Sequence, residues 1–145
     1  MTDRKPPKGL GKRTLAALAA STARDSNTAA RHVRHIVRRW GAPGLFAACA
    51  GWAEAFRQHT AGTKPPGAVF GFQVTVDGQP VDPGSVDADE ADMVWALRFI
   101  SAVANRDADT AQALFNLDDR DAVLDGALRV LALAGRETNR AGGIR

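Results

Sequence analysis

Apolar positions are densest over residues 91–105, ADMVWALRFISAVAN. At about 3.6 residues per turn, Met93, Trp95, Ala96, Leu97, Phe99, Ile100, Val103 and Ala104 cover more than half of a helix circumference. Arg98, Ser101 and Asn105 make the remaining polar strip. A helix so apolar has to be covered from several sides, so this stretch is expected to be the buried central helix of the fold. Asp87 and Glu90 stand before it at capping-box spacing.

Helical periodicity recurs on both sides. From about Gly11 to Arg24 the chain is Ala-rich, with Leu15, Leu18 and Thr22 on a thin apolar side. Asp25-Ser26-Asn27 is a cap cluster. The next helix, 28–40, turns Val33, Ile36, Val37 and Trp40 inward, extended by Ala29 and Ala30. Gly41 stops it, and Pro43 suits the first turn of a third helix running to about His59. Leu45, Cys49, Trp52, Ala53 and Phe56 share one face of that helix. A link as short as Gly41-Ala42 predicts a helical hairpin over 28–59.

The period then changes. Residues 61–67 read as a linker. In VFGFQVTV, residues 69–76, Phe70, Phe72, Val74 and Val76 alternate with Gly71, Gln73 and Thr75, and Asp77-Gly78 is a two-residue turn signal. A small β-hairpin over about 69–82 is expected, its return strand cut short by Pro80 and Pro83. Beyond the central helix, Asn105-Arg106-Asp107 makes a turn, Ala108–Phe115 a short helix, and 121 to about 137 the last one. Val123, Ala127, Val130, Leu131 and Ala134 form its stripe. The expected fold is therefore mainly α: a single-domain bundle of five or six helices around 91–105, with one small hairpin. Residues 1–10 are expected to be a mobile basic tail, 11–138 the domain, with helices over 88–138, and 139–145 a flexible tail.

Charge changes this picture. The chain carries a formal net charge of +3, but its halves differ in sign. Residues 1–40 hold ten Lys/Arg against two Asp/Glu, a net +8, and residues 41–145 hold nine against fourteen, a net −5. Such a split calls for an external anionic partner or for pairing within the chain. Arg31, Arg34, His35, Arg38 and Arg39, with His32, occupy the side of helix 28–40 opposite its apolar stripe. They are the candidate contacts for an anion or a nucleic-acid backbone. Charged helix faces are ordinarily just solvated, and acids such as Asp118, Asp119 or Asp121 would serve for internal pairing. A helix-turn-helix reading fails, because the second helix of 28–59 has Arg57 as its single Lys or Arg and lacks base-reading polar residues.

Other chemistry is thin. His32 and His35 have no evident third ligand, and the surrounding arginines would repel a metal cation. Gly9-Leu10-Gly11-Lys12-Arg13-Thr14 loosely resembles a phosphate loop, but its spacing is wrong and no buried strand precedes it; it reads as basic tail. The acids Asp87, Asp89, Glu90 and Asp92, and Asp118, Asp119, Asp121 and Asp125, lack the glycine and distant glutamate of a calcium loop and read as helix N-terminal residues. Cys49 sits on an apolar stripe, and no nucleophile groups with a base and an orienting acid. No cofactor or metal is expected. No apolar run approaches the roughly 20 residues needed to cross a bilayer, and no apolar signal core follows the basic N-terminus.

The first functional expectation is a small non-enzymatic helical interaction protein, a regulator or adaptor, with a protein partner or self-association. The alternative is a nucleic-acid-associated protein binding phosphates through helix 28–40. A cytoplasmic location without membrane contact is expected for either.

Overall fold

The computed structural model describes residues 9–60, 75–76, 79–80, 91–116 and 119–142. It is mainly helical. Five helices run in chain order: α1 (Leu10–Thr22), α2 (Ser26–Thr60), α3 (Ala91–Ala104), α4 (Ala108–Phe115) and α5 (Arg120–Gly142).

Two of the junctions use the same local device. After α1, Arg24 takes a left-handed backbone with φ 63°, and Asp25 follows as the cap of α2. The Asp25 carboxylate accepts from the Thr28 amide at 3.1 Å and the Thr28 hydroxyl at 2.7 Å. After α3, Arg106 has φ 57°, and the Asp107 carboxylate accepts from the Thr110 amide at 3.2 Å and its hydroxyl at 2.6 Å. The sequence Arg-Asp-x-x-Thr thus ends one helix and starts the next at both places. These hydrogen bonds hold the Asp25 and Asp107 carboxyls below the usual range.

Helices 28–40 and 43–59 follow each other with almost no connection between them. They meet at a kink inside α2, where Gly41 alone leaves helical backbone, with φ 69° and ψ −160°. That conformation favours glycine. Pro43, which has no N–H to give the helix, falls in the first turn beyond the break.

α2 and α5 each pack against both α1 and α3, and α4 packs on α3. The centre is therefore the α2/α5 pair as much as α3. Trp95, Ala96, Phe99, Ile100 and Ala102 of α3 are buried, while Met93, Val94 and Leu97 are half-buried. Phe99 stacks on Trp95 at 5.3 Å and meets Phe46 of α2 edge-on at 5.7 Å. Phe115 of α4 completes the cluster, 5.0 Å from Phe46 and 5.5 Å from Phe99. Side chains tie the layers at their polar atoms. The Trp52 indole donates to the Thr14 carbonyl at 3.0 Å, and Trp95 to the Leu114 carbonyl at 3.2 Å. The Ser21 hydroxyl donates to the Leu131 carbonyl at 3.0 Å, and the Asn139 amide to the Thr22 carbonyl at 2.8 Å. Arg129 of α5 pairs with Asp92 of α3 at 2.9 Å. Cys49 is fully buried, and burial pushes its thiol pKa well up.

Glycines let α5 approach its neighbours. A Cβ on Gly126 would run into the Trp95 indole, and one on Gly135 into Ser21. Gly126→Ala should therefore cost about 1–3 kcal/mol, the usual range for overpacking. Urea unfolding measures it; an unchanged midpoint would mean that Trp95 does not lie over α5.

Three sequence expectations change. The apolar side of α1 is not the one carrying Leu15, which is 68% exposed; Leu10 and Ala17 are the buried residues. Leu18 is partly buried against the core, and Ser21 lies close against Gly135 of α5. Helix α5 continues to Gly142, past the expected end near residue 137, and the Asn139 bond to Thr22 holds this last part against α1. The small β-hairpin over 69–82 is not borne out. Among the described residues this region shows two-residue pairings alone, Thr75 opposite Pro80 and Val76 opposite Gln79. Pro80 has no N–H with which to extend the ladder. The linker at 61–67, the Asp77-Gly78 turn, the Asp87–Glu90 cap, Asp118, and the termini at 1–8 and 143–145 lie outside the described residues.

Candidate functional site

The Arg24-Asp25 junction folds α1 back along the first arm of α2. Arg13 meets His32, and Gly9 lies under the Trp40 indole, where a Cβ would come within 3.7 Å of Cζ2. Gly9 caps α1 with φ 90°, again a glycine conformation. On the other side of Trp40, a Cβ on Gly44 would collide with the Trp40 Cβ, so the kink and a glycine at 44 together permit this seat.

A groove runs between the two helices. One cavity of about 320 Å³ is lined by Arg13, Thr28, Arg31, His32, Arg34, His35 and Arg38. A second of about 430 Å³ is lined by Gly9, Lys12, Arg13, Ala16, His32, His35, Arg39 and Trp40. Arg13, His32 and His35 belong to both, so the two cavities adjoin across them. The Arg13 guanidinium lies 3.0 Å from His32 Nδ1. Arginine has no acceptor, so the ring nitrogen must accept, which fixes His32 as the neutral Nε2–H tautomer. Partial burial and the charges of Arg13 and Arg31, with His35 adding to them, hold the His32 pKa below its ordinary value. Partial burial with Arg13, Arg38 and Arg39 does the same for His35. Both shifts act against a charged imidazole, so the guanidiniums and Lys12 supply most of the groove's positive charge.

The candidate residues are distributed as follows. Arg31, Arg34, Arg38 and Arg39 are exposed and His35 is half-buried. All five line the groove or its rim. Arg31 reaches toward Thr28 at 3.4 Å, and its charge acts on Asp25. Arg39 lies over the Trp40 ring, 5.5 Å from its centroid, and the His35 ring meets the same indole at 5.9 Å and 69°. Among the described residues, the ion pairs are Glu54–Arg57, Asp92–Arg129 and Glu137–Arg140, and none involves this face. Asp119 instead caps α5, accepting from the Ala122 amide at 3.1 Å. Val37, expected on the inward stripe, is 38% exposed, and Trp40 is half-buried rather than core.

Lys12, Arg13 and Trp40 were not among the candidates. Lys12 and Arg13 belong to helix α1 rather than to a loose basic tail. Their place is readable from one signal. A helix reversal at Asp25 brings α1 back over the face of 28–40, where Lys12 and Arg13 join its basic residues.

Among the described residues, no three His, Cys, Asp or Glu side chains gather as a metal site requires, and no helix is long and apolar enough to cross a membrane. In comparison with known proteins, no family model matches the chain, and neither a curated protein nor a solved structure does.

Proposed function

We propose that this is a nucleic-acid-associated protein that binds phosphate backbone in the groove between α1 and the first arm of α2. The observation that carries this reading is clustered positive charge with little internal compensation: Asp25 acts on Arg31 without pairing with it. Arg13, Arg31, Arg34, Arg38 and Arg39 converge on two adjoining cavities, and none of them pairs with a carboxylate among the described residues. Like charges gathered this way cost stability, and an external polyanion offsets that cost. A cytoplasmic location is part of the proposal.

The first expectation, a small helical interaction protein acting as regulator or adaptor, draws less support. Among the described residues the large exposed apolar side chains are Leu15 and Val37. A docking surface for another protein is normally a contiguous apolar patch of several hundred Å².

The test is a titration of the protein into labelled oligonucleotides at several salt concentrations. Four phosphate contacts give a log–log slope of about −3 to −4 on duplex DNA. Binding should not depend on sequence. No binding to duplex or single strand at low salt would overturn the proposal.

A further inference from the structure

We infer that the groove takes single-stranded rather than duplex nucleic acid, with an unpaired base stacked on Trp40 and the flanking phosphates held by Arg13 and Arg38. This inference rests on the backbone-binding reading above and adds the kind of strand.

Trp40 differs from the other two tryptophans of the chain. Trp52 and Trp95 are 0% and 6% exposed, and each donates its indole N–H to a backbone carbonyl. Trp40 is half-buried and forms a wall of the larger cavity. What approaches its ring suits a base. His35 meets it at a steep angle and so does not stack on its face. Arg39 lies over the ring, but it is an exposed, flexible side chain and can give way or stack on the base in turn. Gly9 and Ala16 line the same cavity with little side-chain bulk, and its volume of about 430 Å³ falls in the range of small-ligand sites.

The smaller cavity supplies continuity. It shares Arg13 and both histidines with the larger one, so a strand leaving Trp40 runs directly into the cluster of Arg31, Arg34 and Arg38. An aromatic platform followed by a cationic trough is the usual arrangement for unpaired strands. A duplex keeps its bases stacked inside and cannot offer one to Trp40. It would meet the arginines through its phosphates and leave the Trp40 ring uncovered.

The test follows tryptophan emission while a 12-nucleotide oligothymidylate, a duplex of the same length and inorganic polyphosphate are titrated separately at low salt. The two buried indoles report little, so quenching reports Trp40. The expected result is tighter binding of the single strand than of the duplex, with quenching by the single strand alone. Polyphosphate should compete for the site without quenching. Trp40→Leu should weaken single-strand binding about five- to hundredfold and leave duplex affinity unchanged. If Trp40→Leu does not fold, the wild-type quenching decides. Equal or tighter duplex binding, or single-strand binding without quenching, would overturn this inference and leave backbone binding standing. No binding of either nucleic acid would overturn both.

Discussion

Replacing Phe99 with alanine should destabilise the protein by about 3–5 kcal/mol, the range for a fully buried aromatic. Phe99 is 0% exposed and contacts aromatic rings from three helices. It stacks on Trp95 of its own helix, with the planes 3° apart, and meets Phe46 and Phe115 at steeper angles. Removing the ring empties the place where α2, α3 and α4 meet. The cavity cannot collapse easily, because Trp95 is fixed by its bond to the Leu114 carbonyl and pressed from below by the α5 backbone at Gly126. Each aromatic pair also contributes about 0.5–1.5 kcal/mol beyond its burial. Urea unfolding of wild type and variant gives the difference from the shift in midpoint. A loss under about 1 kcal/mol, typical of exposed sites, would contradict the placement of this residue.

Much of this core is legible in the sequence, because a buried helix face repeats residues at fixed spacing. Val33 and Ile36 in α2, Cys49 and Trp52 beyond the kink, Phe99 in α3 and the Val123–Ala134 stripe in α5 all fall where the period puts them. The caps are legible for the same local reason, since Asp25 and Asp107 each act on a residue three positions on. Periodicity misleads where contact is made by small side chains. In α1 the eye follows Leu15, which is exposed, whereas Ala17 is fully buried and Ser21 makes the close approach, against Gly135 of α5. No rule based on hydrophobic size identifies such a face.

The candidate site is legible in part. Arginines opposite Val33 and Ile36 must point away from the core, and Arg31, Arg34 and Arg38 do. The groove itself is not a property of one helix. It exists because α1 returns along α2, which adds Lys12, Arg13 and the edge of Trp40 to a face that the sequence displays as a single convex surface. Trp40 packs on the edge of the core and lines the groove, and Val37 is exposed, since the core side of this arm is already filled by Ala29, Val33 and Ile36.

The largest effect on binding should come from the double variant Arg34→Gln and Arg38→Gln. Each phosphate contact on duplex DNA adds about 0.9 to the log–log salt slope, so each removed contact weakens binding about tenfold near 50 mM salt. The double variant should therefore bind about a hundredfold more weakly there, with the slope flattened by about two. Folding should change little, within about 0.5 kcal/mol, because both side chains are exposed and neither makes an ion pair with a described residue. Relief of like-charge repulsion would act toward greater stability.

Whether these arginines serve an anion outside the chain is decided by the salt dependence of duplex affinity, measured for wild type and this double variant side by side. The expected slope is about −3 to −4 for wild type and about −1 to −2 for the variant. An identical slope for the two proteins, or a wild type that binds nothing at low salt, would contradict that role.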